Sequence, residues 1–359
     1  MEHNHKLRVV VSVVCATLTL LVVLLSLFYL WRKRWMRRSS AEMEDLECKE
    51  EHIVETEDLL TFPGGESLTI HDILDAPGEV VGKSNYGTLY KASLQRHESV
   101  RLLRFLRPAC TGRMKEIIDA IQMLGYVRHP NLVPLQAFYA GPRGEKLLVH
   151  PFLSRGTLAQ FIQDGDSESH KWGIIYRIFV GIARGLDHLH FGLQKPIIHG
   201  NLKSKNILLD GSYQSYVSDF GLHFLLNPTA GQEMLEASAI QGYKAPELIK
   251  MKDASKESDI YSLGVILLEL LTRKGPIITN SSPTQDLYLP NSMRNAILDQ
   301  KFSDIFHPSL LLNEGSDQKS IMEERILMFF QLAMACCSPS PSLRPDIKQV
   351  LIKLEEIGR

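Results

Sequence analysis

The motifs HGNLKSKN (199–206) and SDFGL (218–222) are the most informative part of this sequence. Four further motifs stand around them: RHPNLVPL (128–135), GYKAPE (242–247), SDIYSLGVILLELLT (258–272) and LRP (343–345). Six motifs in a fixed order are far more specific than one short pattern such as a glycine-rich loop. Their order and spacing therefore decide the fold.

The segments on either side of these motifs have different apolar patterns. EVVGKSNYGTLYKA (79–92) alternates apolar residues around a glycine turn, and ESVRLLRFL (98–106) is a second short apolar run, so we expect strands there. GVILLELL (264–271) and ERILMFFQLAMACC (324–337) are longer apolar stretches typical of buried helices. The sequence predicts a small strand-rich lobe before a larger helical lobe.

This arrangement resembles the protein kinase fold, an α+β fold with a strand-rich N-lobe and a helical C-lobe. The resemblance covers residues 73–357. It is closest to the cytoplasmic domains of plant receptor-like kinases, in particular those whose usual partner is a leucine-rich-repeat ectodomain. The resemblance implies a cleft for ATP and Mg²⁺ and transfer of phosphate to Ser or Thr.

The catalytic loop departs from the family. In the family it reads H-R-D-L-K-x-x-N, and its aspartate accepts the proton of the substrate hydroxyl. Here the tripeptide is His199-Gly200-Asn201. A neutral carboxamide cannot act as a base near pH 7, and general-base catalysis typically contributes about 10²–10⁴-fold. Gly200 also removes the arginine that in many kinases clamps a phosphorylated activation segment, so switching through Thr229 or Ser238 is not expected.

The lysine that binds phosphate on the third kinase strand is also replaced. Counted without gaps from Gly82 its position falls on Leu103, and with one inserted residue it falls on Arg104. A planar guanidinium does not replace a compact ammonium in a packed cleft.

The glutamate that pairs with this lysine should precede His129 by nine positions, which is Ala120. A different helix register would bring Glu116 or Asp119 to that place instead. Loss of both partners is physically coherent, because removing only one would leave a buried unpaired charge.

Residues for binding a nucleotide are partly kept. The glycine loop retains Gly82 and Gly87 but has Ser84 at the central position, so it either cradles phosphate weakly or is a plain hairpin. KLLVHPFL (146–153) resembles the strand and hinge over which adenine lies, with His150 at the gatekeeper position and the backbone of Leu153 as the expected donor. His150 is otherwise a packed side chain.

The two magnesium ligands of the family, Asn206 and Asp219, are present, and so is Lys203, which in active relatives steadies the transferred phosphoryl group. Residual binding of ATP and Mg²⁺ is one interpretation. Asn206 and Asp219 as hydrogen-bonded structural residues are the other.

The scaffold residues persist. The resemblance implies an ion pair between Glu247 of the GYKAPE motif and Arg344, and it places Asp259 at the start of the apolar helix. We expect the fold to be maintained although the catalytic groups are lost.

Composition limits the class of protein. The 359 residues are 44% hydrophobic, enough for a sizeable core, and 40 basic side chains balance 41 acidic ones. The formal charge of −1 lacks the basic excess typical of nucleic-acid binding, so no such partner is expected. The cysteines have no C-x-x-C spacing, which argues against a disulfide framework and a zinc site. They are Cys15, Cys48, Cys110, Cys336 and Cys337.

Near the N-terminus, 9–30 contains no charged residue, and these 22 residues would span about 33 Å as a helix. This predicts a transmembrane helix over 9–31 after a short extracellular segment, 1–8. A cleaved signal peptide is disfavoured because the run is too long and no small residues follow it, and a core helix because the run has no polar face. If Met1 is the natural start, no ectodomain is expected; a longer form is the alternative.

Residues 32–59 are the predicted linker, basic first and acidic afterwards. The basic residues place the C-terminal part in the cytoplasm, so a single-pass protein of the plasma membrane is expected. They either contact anionic lipid head groups, at about 1 kcal/mol per charge, or act only as a topology signal. They are Arg32, Lys33, Arg34, Arg37 and Arg38. The acidic block over 41–58 repels itself and stays extended.

Three functions agree with these residues. The first is a pseudokinase that binds or allosterically biases an active receptor-like kinase at the membrane. The second is a weak Ser/Thr kinase that uses Asp219, Asn206 and Lys203 with an unconventional base. The third is a switch that binds ATP without turnover and changes the partner surface. The loss of three catalytic groups beside intact scaffold motifs favours the first.

Overall fold

The computed structural model describes residues 58–97, 99–164, 171–249, 253–278, 288–298, 306–307, 310 and 316–358. The chain divides into two compact units, 1–54 and 55–359, and all described residues lie in the second. Among the described residues no helix has the length and apolar character needed to cross a bilayer. The predicted span, 9–31, and the basic residues 32–38 lie outside the described residues.

The first lobe is built on an antiparallel sheet of six strands in the order β1-β5-β6-β4-β3-β2. The strands are β1 (Asp58–Thr61), β2 (Gly78–Ser84), β3 (Gly87–Leu94), β4 (Ser99–Leu106), β5 (Ala137–Ala140) and β6 (Lys146–Pro151). Helix α1 (Ile70–Leu74) begins at Thr69, whose hydroxyl caps the amide of Asp72, and α2 (Met114–Tyr126) follows β4. The linker is shorter than predicted at its end, because Asp58 and Leu59 pair with β5 as part of β1.

Strand β4 explains how the sheet separates its two faces. Successive side chains of a strand point to opposite faces. Leu103 is buried on one face in a cluster with Ile73 and Tyr139, whereas Leu102 and Arg104 lie on the face that looks towards the second lobe. The first lobe therefore has an apolar outer core and a partly polar inner face.

The second lobe is helical, as the sequence predicts. Its helices are α3 (Leu158–Gln163), α4 (Trp172–Phe191), α5 (Pro228–Ile240), α6 (Lys256–Thr272), α7 (Leu289–Leu298), α8 (Ser316–Cys336) and α9 (Ile347–Gly358). Helix α6 is buried over nearly its whole length and forms the centre of the lobe. Phe179 of α4 and Phe329 of α8 meet edge to face with their centroids 5.2 Å apart.

A short hairpin between α4 and α5 carries the decisive motifs. It consists of β7 (Ile207–Leu209) and β8 (Ser215–Val217), which pair antiparallel. HGNLKSKN (199–206) lies immediately before β7, and SDFGL (218–222) immediately after β8. The hairpin thus brings both motifs to the junction of the lobes.

Candidate functional site

A cavity of 570 Å³, the cleft cavity, lies between the two lobes. The β2–β3 turn and Arg104 line it from the first lobe, and Asn201 and Asp219 line it from the second. Helix α5 closes one side through Met234 and Ala237. Gly87, His150 and Leu153 do not line this cavity. It brings together the other predicted residues of the second lobe and the turn: Gly82, Ser84, Asn201, Lys203, Asn206 and Asp219.

Arg104, and not Leu103, lines the cleft cavity among the two residues predicted for the lysine position. Its Nη2 atom lies 2.7 Å from Oδ2 of Asp219, and the two side chains are only 11% and 7% exposed. Leu103 points away into the outer core. Of the two alternatives only Arg104 faces the cleft cavity, where its guanidinium pairs with the predicted metal ligand Asp219.

Helix α2 supplies no partner to Arg104 among the contacts of the described residues. Glu116 caps the start of the helix, where its carboxylate bonds to the Nε atom of Arg113 at 2.9 Å. The hydrogen bonds from Arg113 lower the pKa of Glu116, and its side chain is exposed. Ala120 packs partly buried against the main core. Neither alternative register therefore places a helix carboxylate on Arg104.

Asn201 lies buried on the floor of the cleft cavity and is 2% exposed. Its backbone N–H donates to Nδ1 of His199, and its carbonyl accepts from Nδ2 of Asn206 at 2.9 Å. Both polar atoms of its own carboxamide lack hydrogen-bond partners. The Tyr86 hydroxyl lies close to this carboxamide, and Asn201 acts to lower the pKa of Tyr86 against the larger, opposite effect of burial.

The turn between β2 and β3 is folded down into the cleft. The hydroxyl of Ser84 donates to the carbonyl of Gly87 at 3.1 Å and closes the turn. Tyr86 is buried there in the main core, and burial together with the nearby Asp219 raises the pKa of its hydroxyl. A Cβ at Gly87 would overlap the carbonyl oxygen of Phe105, whereas one at Gly82 would meet only ordinary contacts.

The hinge side of the cleft is filled with apolar side chains. Leu102 of β4 and Leu208 of β7 are 8% and 9% exposed and belong to one cluster, against which Leu89, Phe152 and Leu153 pack. The carbonyl of Leu153 accepts from the N–H of Gly156. Nδ1 of His150 is 3.0 Å from the carbonyl of Pro134, and burial lowers the pKa of this imidazole.

The remaining predicted ligands lie beside Asp219. Lys203 lines the cleft cavity. Burial lowers the pKa of its ammonium group, and the negative charge of Asp219 acts in the opposite direction. Asn206 is buried, and its amide nitrogen is used by the Asn201 carbonyl. A Mg²⁺ ion bound to Asp219 would lie next to the Arg104 guanidinium, whose Nη2 atom is 2.7 Å from Oδ2 of Asp219. Two positive charges so close together repel strongly where water is excluded. The residues in this arrangement do not fit the metal.

Most of the chain is similar to proteins of one known family. Residues 76–353 match the model of the protein kinase domain. The chain belongs to the protein kinase family. Among relatives from Arabidopsis thaliana, the kinase-like protein TMKL1 is 38% identical over 344 residues, which are 93% of this chain and 50% of that protein. The leucine-rich repeat receptor-like protein kinase IMK3 is 40% identical over 83% of this chain and 37% of its own length.

A third relative, whose name contains the words "inactive receptor kinase", is 36% identical over 80% of this chain and 42% of its own length. The chain thus spans about half or less of these relatives. The kinase domain of maize SIRK1, solved with AMP-PNP, has a TM-score of 0.73 at 30% identity and covers 84% of this chain and 100% of that one. The pseudokinase domain of BIR2 has a TM-score of 0.64 at 29% identity and covers 78% and 80%.

Family membership explains one further position, Leu102. The kinase strand reads V-A-I-K, and the corresponding residues here are RLLR (101–104). Leu102 therefore stands where the family has alanine, which explains why the hinge side is filled. Sequence reasoning missed Leu102 and Tyr86, although the bulky residue two positions before Arg104 was a readable signal.

The scaffold of the family is present. Oδ2 of Asp259 accepts from the backbone N–H of His199 at 2.7 Å and lies 2.9 Å from Nε2 of His190, and Oδ1 accepts from the N–H of Gly200 at 2.9 Å. Burial would raise the pKa of Asp259, but these bonds and His190 lower it overall. This carboxylate fixes the turn at Gly200, whose φ is +71°.

A second scaffold contact joins the GYKAPE and LRP motifs. Nη1 and Nη2 of Arg344 donate to the two carboxylate oxygens of Glu247 at 2.6 and 2.7 Å. The side chain of Arg344 is fully buried. Between SDFGL and GYKAPE the chain forms α5, in which Thr229 is exposed and Ser238 is buried.

Proposed function

We propose that this chain is a membrane-anchored pseudokinase of the receptor-like kinase type, which acts by binding an active receptor kinase or another signalling protein. The Arg104–Asp219 ion pair carries the proposal. It places a fixed cation on the carboxylate that would hold Mg²⁺, beside an Asn201 that cannot accept a proton. Relatives with inactive kinase names and the BIR2 pseudokinase domain support it.

The geometry around the cleft supports the same proposal. Helix α5 lies along the cavity where the segment after SDFGL would otherwise be extended, and Met234 and Ala237 line the wall beside Asn201. A protein substrate would have to displace this helix to reach Asn201. The intact scaffold contacts of Asp259 and Arg344 meanwhile keep the surface of the second lobe available to partners.

The predicted anchor over 9–31, the cytoplasmic orientation and the lipid contacts of 32–38 belong to this proposal. They are tested by protease protection of the full chain in vesicles with and without anionic lipid. Cleavage of the kinase domain from the outside of sealed vesicles, together with a protected fragment at 9–31, is the expected result.

Phosphotransfer decides between this proposal and a weak kinase. The full chain is incubated with radiolabelled ATP, Mg²⁺ or Mn²⁺, and a basic protein substrate, beside an Asp219→Ala variant. We expect equal, background-level transfer, and we expect the Asn201→Asp variant to remain inactive because Arg104 still holds Asp219. Transfer that is lost in Asp219→Ala would refute the proposal and favour the weak kinase.

Partner binding needs a separate readout. The full chain is reconstituted in vesicles with an active plant receptor kinase, and the phosphotransfer rate of that kinase is measured. A change in rate supports an allosteric partner. An unchanged rate, together with no cross-linking between the two chains, would contradict it.

A further inference from the structure

A second concave surface lies on the second lobe, away from the cleft. It is a groove of 490 Å³, here called the basic groove. Helix α4 lines it, and so do Asn131 and the turn that joins β7 to β8. The residues on which its chemistry depends are Gly173, Arg177, Gly181 and Arg184 of α4, Asn131, and Gln214 of the turn. Among the described residues it shares no lining residue with the cleft cavity.

The charge of the basic groove has one sign. Arg177 and Arg184 are the only charged side chains among its described lining residues, and both residues are exposed. The acidic side chains that act on groups beside the groove, Asp187 and Glu355, do not line it. A concave surface with two cations and no anion attracts a ligand with negative charge.

Most hydrogen-bond donors of the two guanidinium groups are unused. An arginine side chain has five N–H donors. Arg177 uses one of them, from Nη1 to the carbonyl of Ser212 at 3.3 Å. Arg184 forms no hydrogen bond or ion pair with any residue in the described part of the chain. Because a planar guanidinium binds a carboxylate through two parallel hydrogen bonds, the groove offers two places for carboxylates.

The helix sets the distance between these two places. Arg177 and Arg184 are two turns apart on α4, so they lie on the same face with their Cα atoms about 10.5 Å apart along the axis. In the polyproline II conformation, residues three positions apart lie on one face and are separated by about 9.3 Å. Two acidic residues with that spacing would each meet one guanidinium.

The floor of the basic groove is held in place by its own contacts. Val180, between the two arginines in sequence, lines it together with Tyr176, whose hydroxyl donates to the carbonyl of Leu354 at 2.7 Å. The side-chain amides of Asn131 and Gln214 donate to backbone carbonyls at 3.0 and 2.8 Å. The groove is therefore formed before a ligand arrives, which reduces the cost of ordering on binding.

The two glycines of the groove have different reasons to lack a side chain. A Cβ at Gly181 would overlap Oγ of Ser215 and Nδ2 of Asn131, so close packing against the hairpin requires glycine there. A Cβ at Gly173 would meet nothing within 4 Å. Packing does not require glycine at 173, and its missing side chain leaves that end of the groove open.

We propose that the basic groove docks a short acidic segment of a partner protein, in the polyproline II conformation, with two carboxylates three positions apart and an apolar residue between them. The inference rests on the proposed function and extends it, because it names a docking surface and the chemistry of the partner. The cleft takes no part in this contact.

Fluorescence anisotropy with the full chain, purified in detergent, tests the docking. The probe is the peptide Pro-Glu-Pro-Leu-Glu-Pro with a neutral dye. One control peptide has glutamine in place of both glutamates, and the other, Pro-Glu-Glu-Pro-Leu-Pro, has the same composition with adjacent glutamates. We expect the probe to bind about tenfold more tightly than either control, the size of one charge-assisted contact. Added NaCl is expected to weaken the binding, because salt screens exposed charges.

Matched variants show whether the binding is local. Arg177→Gln and Arg184→Gln are each expected to weaken probe binding about tenfold, because each removes one pair of charge-assisted hydrogen bonds. Arg143→Gln removes the same charge from an exposed position between β5 and β6 and is expected to change nothing. Thermal unfolding of each variant without peptide verifies that all three are folded.

Three results would overturn the inference. They are no binding of the probe at millimolar concentration, equal binding of the probe and the peptide with adjacent glutamates, and equal weakening by Arg143→Gln and Arg184→Gln.

A second assay separates this inference from the proposed function. In vesicles with an active receptor kinase, the Arg184→Glu variant is expected to lose the effect of the chain on the rate of that kinase. An effect that is equal in the variant and the unchanged chain would overturn the docking surface and leave the proposed function intact.

Discussion

Arg104 and Asp219 form a nearly buried ion pair that joins the sheet of the first lobe to the SDFGL motif of the second, with Nη2 and Oδ2 2.7 Å apart. The pair spans 115 positions of sequence. It ties β4 to the loop after β8 at the place where an active kinase needs a lysine and a metal ion. The two lobes are thus held together by residues that in the family handle the nucleotide.

The pair predicts strong coupling between its two positions. Arg104→Met and Asp219→Asn are each expected to lower the free energy of unfolding by about 3–5 kcal/mol, because each leaves a buried group unpaired. The double variant is expected to lose much less than the sum. Urea unfolding of the four proteins measures the coupling, with the exposed Lys91–Glu79 pair as control, which should contribute about 1 kcal/mol or less. Additive losses at 104 and 219 would contradict this prediction.

The raised pKa of the buried Glu269 predicts that the stability of the folded chain depends on pH. Burial raises its pKa from 4.5 to about 8, although hydrogen bonds from Tyr243 and Ser204 act the other way. Between these pH values the folded state holds a proton that the unfolded chain releases, so the free energy of unfolding falls as pH rises, by up to about 1.4 kcal/mol per unit. The loss is complete above about pH 8.

Glu269→Gln keeps a neutral, hydrogen-bonding side chain and should remove this slope. Urea unfolding at intervals between pH 5 and pH 8, on the assumption of about two-state behaviour, compares the two proteins. The variant is expected to be the more stable at pH 8 and to differ least at pH 5. Parallel curves would show that Glu269 is ionised throughout.

We predict that lysine cannot replace arginine at position 344. The guanidinium holds both carboxylate oxygens of Glu247 and also donates to the carbonyl groups of Glu257 and Ser338. A single ammonium cannot form this planar set of bonds. Arg344→Lys is expected to cost about 3 kcal/mol in thermal or urea unfolding, and a loss below 1 kcal/mol would refute the argument.

Gly82 and Gly87, on either side of the β2–β3 turn, are expected to differ in how well they tolerate alanine. Gly87→Ala should lower stability by about 1–3 kcal/mol, because its Cβ would overlap the backbone of Phe105. Gly82→Ala is the matched control, since its Cβ would only contact Leu89 at 3.7 Å. Melting temperatures of the two variants should therefore separate. Similar values would mean that the turn moves freely away from β4.

Much of the fold was readable because its periodicities are strong. The alternation at 79–92 and the apolar runs at 264–271 and 324–337 correspond to β2, β3, α6 and α8. The contents of the cleft were less readable. The connection between β3 and β4 contains a 3₁₀ helix, Gln95–His97. No periodicity determines the length of this connection, so Leu103 and Arg104 could not be separated. Their faces are assigned only once β4 is paired with β3, because successive side chains of a strand point to opposite faces of the sheet.

Other site features depend on contacts across the fold. The bulk of Leu102 was readable, but nothing local in the sequence says that it packs with Leu208, which lies far away in the chain. Nor does the local sequence say that Tyr86 turns into the main core. Helix α5 was equally hard to foresee, because its buried positions, Ala230, Met234 and Ser238, are small or polar in two of three cases and give no clear apolar periodicity.

Asp259 holds the loop at 199–201 through backbone N–H groups, not through the side chains of Gly200 and Asn201. Every amino acid except proline offers the same N–H group. A change of the side chain at 201 can therefore abolish the chemistry of a kinase while these backbone contacts hold the loop, whereas the φ of +71° at Gly200 favours glycine there. In a gene lineage, the side chain at 201 can therefore change without loss of the kinase fold, because the contacts of Asp259 involve only the backbone of the neighbouring residues.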